Sequence, residues 1–152
     1  MYAQPSIDLA LYRMERAEGD LKGARNNIAL EDFYTAANRS YYAIFNAMRA
    51  LLNLESKDFK RHSGVIAEFR RDFIKTGVLP PELSDIIRDS FKLRNASDYD
   101  DFYIVSKEKV KEQTENAAYF VETVKRCLME RIHNSSDTPA FRAGSGMEER
   151  QP

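Results

Sequence analysis

Glycine and proline are scarce in this sequence, 6 and 5 among 152 residues. So few turn-formers argue for few, long elements and against a sandwich or barrel of many short strands. A single cysteine, Cys127, excludes an internal disulfide framework and any multi-cysteine metal site. The two histidines, His62 and His133, cannot furnish a histidine-rich metal centre, so no metal or cofactor is expected. No apolar run approaches the roughly 20 residues needed to span a bilayer. Residues Met1 to Ser6 lack a basic stretch leading into an apolar one, so a cytoplasmic protein without membrane contact is expected. An excess of one charge is also missing: 23 basic and 24 acidic residues leave a formal net charge of -1. That excludes a globally basic nucleic-acid binder and leaves room for a local basic patch. There is no glycine-rich phosphate loop, no HExxH and no GxSxG.

What remains is a chain of 152 residues, 43% hydrophobic and 31% charged, long enough for one domain with a core and too short for two. Its apolar residues recur at helical spacing almost throughout. Ile7, Leu11, Met14, Ala17, Leu21, Ala24 and Ile28 form one stripe, with Ser6 as its expected N-cap. A second helix is expected from about Asp32 to Leu54. It is the most apolar, carries Ala36, Ala37, Ala43, Ala47 and Ala50 for close approach, and belongs at the centre. After a charged loop, a third helix runs from about His62 to Thr76, with Gly77 at the left-handed position beyond its end. Pro80 and Pro81 open a fourth helix, striped by Leu83, Ile86, Ile87 and Phe91, which the Asn, Ser and Asp of 95–103 are expected to break. A fifth starts near Ser106, with Val105 and Val110 as a hydrophobic staple, and its stripe ends at Ile132. The reading is an all-α antiparallel helical bundle over 1–132 and a disordered tail over 133–152, with a short partner-binding element around Phe141.

Three polar clusters stand out. Asn38-Arg39-Ser40-Tyr41-Tyr42 lies inside the most apolar helix, where an Arg and an Asn cost desolvation unless paired. Either Arg39 and Tyr42 face outward while Tyr41 packs, or Asn38 and Arg39 border a polar groove. Lys60-Arg61-His62, with Arg70 and Arg71 beyond, is the densest basic feature and opens a helix, where backbone N–H groups can meet a phosphate. It can equally be a solvated helix start. Arg94-Asn95-Ala96-Ser97-Asp98-Tyr99 offers a forked phosphate contact from Arg94, or an Arg94–Asp98 pair that merely closes the loop. The helix-face carboxylates Glu15, Glu18, Asp85 and Asp89 read as solvated surface.

Together these clusters resemble the HEPN family of small all-helical domains. The match runs through Ala37-Asn38-Arg39-Ser40-Tyr41-Tyr42-Ala43, Arg49-Ala50-Leu51-Leu52, Lys60, His62-Ser63-Gly64-Val65-Ile66, Phe69, the stretch from Phe73 to Gly77, and Arg94 through Tyr99. It is similar to the stand-alone branch often encoded beside a minimal nucleotidyltransferase. The resemblance implies four long helices plus a short one, a homodimer, and a place in a two-gene toxin–antitoxin or defence-type system. In active members an Arg, a polar residue and, a few residues on, a His cleave RNA without a metal across the dimer cleft. The Arg serves the scissile phosphate and the His the 2′-hydroxyl. Arg94 matches that Arg, Asn95 the polar residue, and Tyr99 stands where the His would be. A tyrosine, ordinarily ionising near pH ~10, is a poor general base. The resemblance therefore leaves three routes: a weak nuclease, one that borrows His62, or a module that binds RNA, a nucleotide or the nucleotidyltransferase. Asn38, Arg39, Lys60, Arg61, His62 and Asp98 are the expected binding residues, and Tyr99 and Tyr103 are possible modification sites by the partner. An interaction role is preferred, with metal-independent RNA cleavage as the alternative.

Overall fold

A computed structural model describes residues 1–136 as five helices and, among those residues, no strand. They are α1 (Gln4–Ala29), α2 (Phe33–Leu54), α3 (His62–Phe69, widening into a π-helical turn over Arg70–Ile74), α4 (Glu82–Tyr99) and α5 (Lys107–Ser136). Four long helices and a short one form the antiparallel bundle that the stripes predict. Contacts fix the directions. Arg13 meets Asn53 and Asp20 meets Arg39, so α1 and α2 run oppositely. Asn38 meets Asp98, which sets α4 against α2, while Ser40 with Gln113 and Glu55 with Arg131 lay α5 parallel to it.

Helix α2 is the centre: it packs on α1, α3, α4 and α5. Its alanines Ala36, Ala37, Ala43, Ala47 and Ala50 are buried, which lets backbones approach, and Ile44, Met48, Leu51 and Leu52 fill the space between. Met14, Ala17 and Leu21 from α1, Val65 and Phe69 from α3, and Phe120, Val124 and Leu128 from α5 close one core. A second, smaller core joins Ala36, Ala37, Leu93, Val105 and Val110.

The ends of the elements follow local chemistry. Both α1 and α2 end on a left-handed residue that is not glycine, Glu31 (φ 60°) and Ser56 (φ 62°). The following N–H groups, of Asp32 and Lys57, reach back to the carbonyls of Asn27 and Leu52 at 2.8 and 2.9 Å, which satisfies helix-end carbonyls. Asp32 also caps α2, accepting the Thr35 N–H at 3.1 Å. Gly77 is left-handed, as expected, with φ 81°. Ser106 caps α5 by accepting the Lys109 N–H at 3.1 Å, and Val105 and Val110 are both buried beneath it.

Five expectations are corrected. Helix α1 begins at Gln4 with Pro5 in its first turn, where a missing N–H costs nothing, so Ser6 is not its cap; its hydroxyl meets that of Ser56 at 3.0 Å. In the α1 stripe Ala10 is buried and Leu11 is exposed. Helix α4 does not break at Asn95 but continues to Tyr99. Ser97 donates to the Leu93 carbonyl at 2.7 Å and Asp98 pairs with Arg94 one turn back, so the polar side chains support the helix instead of competing with it. Phe91 is not core: it is 37% exposed. At the far end α5 runs on through Ser136, past the expected boundary at 132. The rest of the expected tail, with Phe141, lies outside the described residues. No described helix is long and apolar enough to cross a membrane.

Candidate functional site

The α3 N-terminus and the outer face of α4 enclose a groove of about 750 Å³. Its floor is apolar, from Ile66, Ile87 and Phe91, and its rim is basic, from Arg70, Arg88, Lys92 and Arg94, with Asp100 at one end. Arg88 is neutralised by Asp85 and Asp89. Among the described residues Arg70 meets only neutral oxygens, the Ser84 hydroxyl at 3.0 Å and carbonyl at 3.1 Å, so no described acid cancels its charge while it pins α3 to α4. Lys92 is exposed and has no side-chain partner among the described residues.

Arg94 stands at the junction with α2. Its Nε donates to Asp98 Oδ2 at 3.0 Å, and its Nη2 reaches the Tyr99 hydroxyl at 3.4 Å. The guanidinium lies over three rings, Tyr41, Tyr42 and Tyr99, at 5.2, 5.6 and 5.5 Å from their centroids, a geometry that favours a cation. Its side chain is only 14% exposed. Asp98 therefore holds Nε and Tyr99 engages Nη2 at the longer distance, which leaves Nη1 for a ligand.

Behind Asp98 runs a chain of polar contacts into the bundle. Asn38 donates to Asp98 Oδ2 at 3.3 Å, and its carbonyl accepts from Arg39 Nε and Nη2 at 3.2 and 2.8 Å. Arg39 Nη1 reaches Asp20 at 2.9 Å, and the other oxygen of Asp20 accepts from Asn46 at 2.7 Å. Asp20 is buried, 6% exposed, so this pairing is what lets a carboxylate sit between α1 and α2. Both open readings of the central cluster are thus half met. Tyr41 packs, while Arg39 and Asn38 occupy a polar seam that ends at Arg94.

His62 joins the same groove. Its Nδ1 shares a 3.0 Å hydrogen bond with the Tyr41 hydroxyl, and its ring packs 4.1 Å from that of Phe45. Burial, then the charges of Arg94 and Arg49, hold its pKa below the ordinary histidine value, so the imidazole is neutral near pH ~7. Burial pushes the Tyr41 hydroxyl up to about 12, which keeps it a protonated phenol. Nδ1 is engaged, and Nε2 remains for a ligand.

Of the residues singled out in the sequence, Arg94, Asn95 and His62 line one groove, with Asp98, Asn38 and Arg39 in support. Tyr99 sits beside Arg94 at the end of α4, 68% exposed. Lys60 and His62 line a separate recess, and Arg61 serves α3 through its carbonyl, which accepts the Gly64 and Val65 N–H groups at 3.2 and 3.3 Å. Arg71 belongs instead to a surface network with Glu68, Asp72 and Lys57. The sequence reading missed Asp20, Lys92 and the exposed ring of Phe91. Asp20 had a signal: it falls on the inward stripe between Ala17 and Ala24, where a carboxylate needs a partner.

The HEPN domain family matches residues 10–127 of this chain, a span holding the groove and every residue of the polar seam. The chain belongs to the HEPN domain family. Among relatives of this HEPN chain, a "UPF0332 protein" of Thermotoga maritima is 33% identical over 117 residues, covering 77% of this chain and 89% of the relative. A protein of Methanocaldococcus jannaschii named "Putative toxin MJ0142" is 32% identical over 116 residues, covering 76% of this chain and 79% of its own length. A second "Putative toxin" of that organism is 31% identical over 121 residues, with 77% and 87% covered.

Proposed function

We propose that this HEPN protein is the RNA-binding, toxin-type component of a two-gene system, acting as a homodimer beside a nucleotidyltransferase partner. The observation that carries the RNA reading is the placement of Arg94. It is clamped by Asp98 and three tyrosine rings at the edge of a groove whose floor is apolar and whose rim holds Arg70 and Lys92. A single strand needs this division: a flat apolar surface for a base and cations for the phosphates. The toxin names of two relatives support the assignment to such a system, and the likeness of residues 37–43 to the nucleotidyltransferase-associated branch supports the partner.

A second reading, metal-independent cleavage, is favoured by one observation: His62, neutral near pH ~7, shares the groove with Arg94. With its proton on Nδ1, bonded to Tyr41, Nε2 can take the proton of a 2′-hydroxyl. The 2′-oxygen then bonds to phosphorus and the P–O5′ bond breaks. The 5′-oxygen collects a proton from the imidazolium or water, and Arg94 stabilises the charge on the phosphate.

Substituting Arg94 tests both. Arg94→Ala is expected to weaken binding of a single-stranded RNA by at least about ten-fold, the worth of one charge-assisted forked contact. It should cost about 1–3 kcal/mol of stability from the lost ion pair and ring contacts, and no more, since Asp98 keeps Asn38 and solvent. RNA binding that is unchanged in a destabilised variant would make Arg94 a loop-closing residue. The same RNA incubated with wild type in a chelator decides the second reading by the presence or absence of a 2′,3′-cyclic phosphate end.

A further inference from the structure

His62 belongs to two recesses. Besides the α3–α4 groove it lines a smaller one, about 370 Å³, formed with Phe45, Arg49, Asp58, Phe59 and Lys60 at the end of α2 and the loop that follows. The walls are fixed. Arg49 forks onto Asp58 at 3.2 and 2.8 Å and lies 5.8 Å over the Phe45 ring. The Phe59 N–H donates to Asp58 at 2.9 Å, and Phe59 packs close on Gly64, where a Cβ would stand 3.2 Å from it and would push it back by a few tenths of an ångström. Lys60 is exposed and has no side-chain partner among the described residues.

The surroundings are short of negative charge. Arg13, next along this face, bonds to the neutral Asn53 at 3.2 Å, and Arg16 to the Tyr12 hydroxyl at 3.1 Å. Burial and then the charge of Arg49 lower the pKa of Arg13, and the nearby Asp58 carboxylate only partly offsets them. Arg13, Arg49 and Lys60 thus share one nearby acid among the described residues, Asp58.

We infer that this recess is a second subsite for the same single-stranded RNA, so that the strand straddles His62, with one phosphate held by Lys60 beside the Arg49–Asp58 pair and a base against the half-buried ring of Phe59. The inference rests on the groove being an RNA site. It follows from the two recesses sharing His62 as their common wall, with Arg94 on one side and Arg49 on the other. A strand seated in both would carry its phosphates across the imidazole, the one position from which His62 could act on the linkage between them.

The test is anisotropy with the full chain and two fluorescent RNAs, an octamer that can fill both recesses and a dinucleotide that can fill one. Lys60→Glu should weaken the octamer about ten-fold and leave the dinucleotide within about two-fold. Lys60→Ala should lower the slope of log affinity against log salt by about 0.7, one single-strand phosphate contact. Octamer affinity and slope unchanged by Lys60→Glu, with Arg94→Ala still damaging, would overturn the second subsite and leave the groove standing. Equal weakening of octamer and dinucleotide would reduce Lys60 to a long-range charge effect and also overturn it. Absence of RNA binding by wild type would remove both readings together.

Discussion

Helix α2 contains two halves that solve opposite problems against the same neighbour. From Ala43 to Leu54 it meets α1 and α5 mainly through apolar side chains, with Ile44, Met48 and Leu51 fully buried and only Asn46 and Asn53 bonded to α1 among the described residues. From Ala36 to Tyr42 it meets α1 and α4 through Asn38 and Arg39, each satisfied by the next polar group from Asp20 to Arg94. The first half is held by area removed from water, which is tolerant of detail. The second is held by a series of specific hydrogen bonds, which is not. The contrast teaches where to look for function on a bundle: at the stretch of the central helix whose burial is costly and has nonetheless been kept satisfied.

The largest effect should come from the apolar half. Leu51→Ala removes a fully buried side chain and is expected to cost about 2–5 kcal/mol. That is a melting temperature lowered by about 5–15 °C, with RNA affinity of the folded fraction unchanged. Circular dichroism melts and anisotropy at low temperature check both halves of the statement. Loss of RNA affinity in the folded variant would mean that the apolar half of α2 also supports the groove.

Next in size is the polar half. Asp20→Asn keeps the shape of a buried side chain but removes the charge that holds Arg39. It should cost about 1–3 kcal/mol, less than the cavity because Arg39 can turn toward water. RNA affinity should also fall, since Asn38, Asp98 and Arg94 lose their anchor. A stability loss with binding intact would mean that the seam ends at Asn38 and does not support the groove.

The smallest effect is a pH dependence. His62 is harder to protonate folded than unfolded, so as pH falls through the ordinary value near 6.5 the unfolded chain takes up more protons. The stability present above that pH is lost on the way down to the lower folded value. Wild type should therefore lose more melting temperature than His62→Gln between about pH 7.5 and pH 5, by about 1–2 °C for a group that is largely solvent-screened. An equal loss in both would mean that neither burial nor the charges of Arg94 and Arg49 act on His62.

Much of this was legible in the residues. The stripes located all five helices, because period-3.6 burial is a property of the sequence itself. Ser106 and Val105–Val110 announced the start of α5, since a cap is a local motif. The end of α4 was misjudged at Asn95 because Asn, Ser and Asp are helix competitors only while unsatisfied. The pair Arg94–Asp98, one turn apart, was the available sign that they were not. Arg94 and Asn95 stand in one sequence cluster and His62 in another, and whether they meet in one groove depends on how α3 crosses α4, which no local pattern encodes. Phe91 was read as core for the same reason: its stripe position is inward, and only the gap between α3 and α4 exposes it.

The wide turn at Arg70–Ile74 bears on that gap. The Lys75 N–H reaches the Arg70 carbonyl at 2.9 Å, five residues back instead of four, so the helix there carries one surplus residue. Val65, Phe69 and Phe73 are spaced by four, and in an ordinary α-helix each such step precesses by about 40° around the axis. Two steps would swing Phe73 away from the core and toward the side that carries His62, Ile66 and Arg70. The surplus residue takes up that precession, so Phe69 and Phe73 both stay buried. One short helix can thereby keep its apolar line straight on one side and an open row of groove residues on the other. Shortening it by a single residue would trade one for the other.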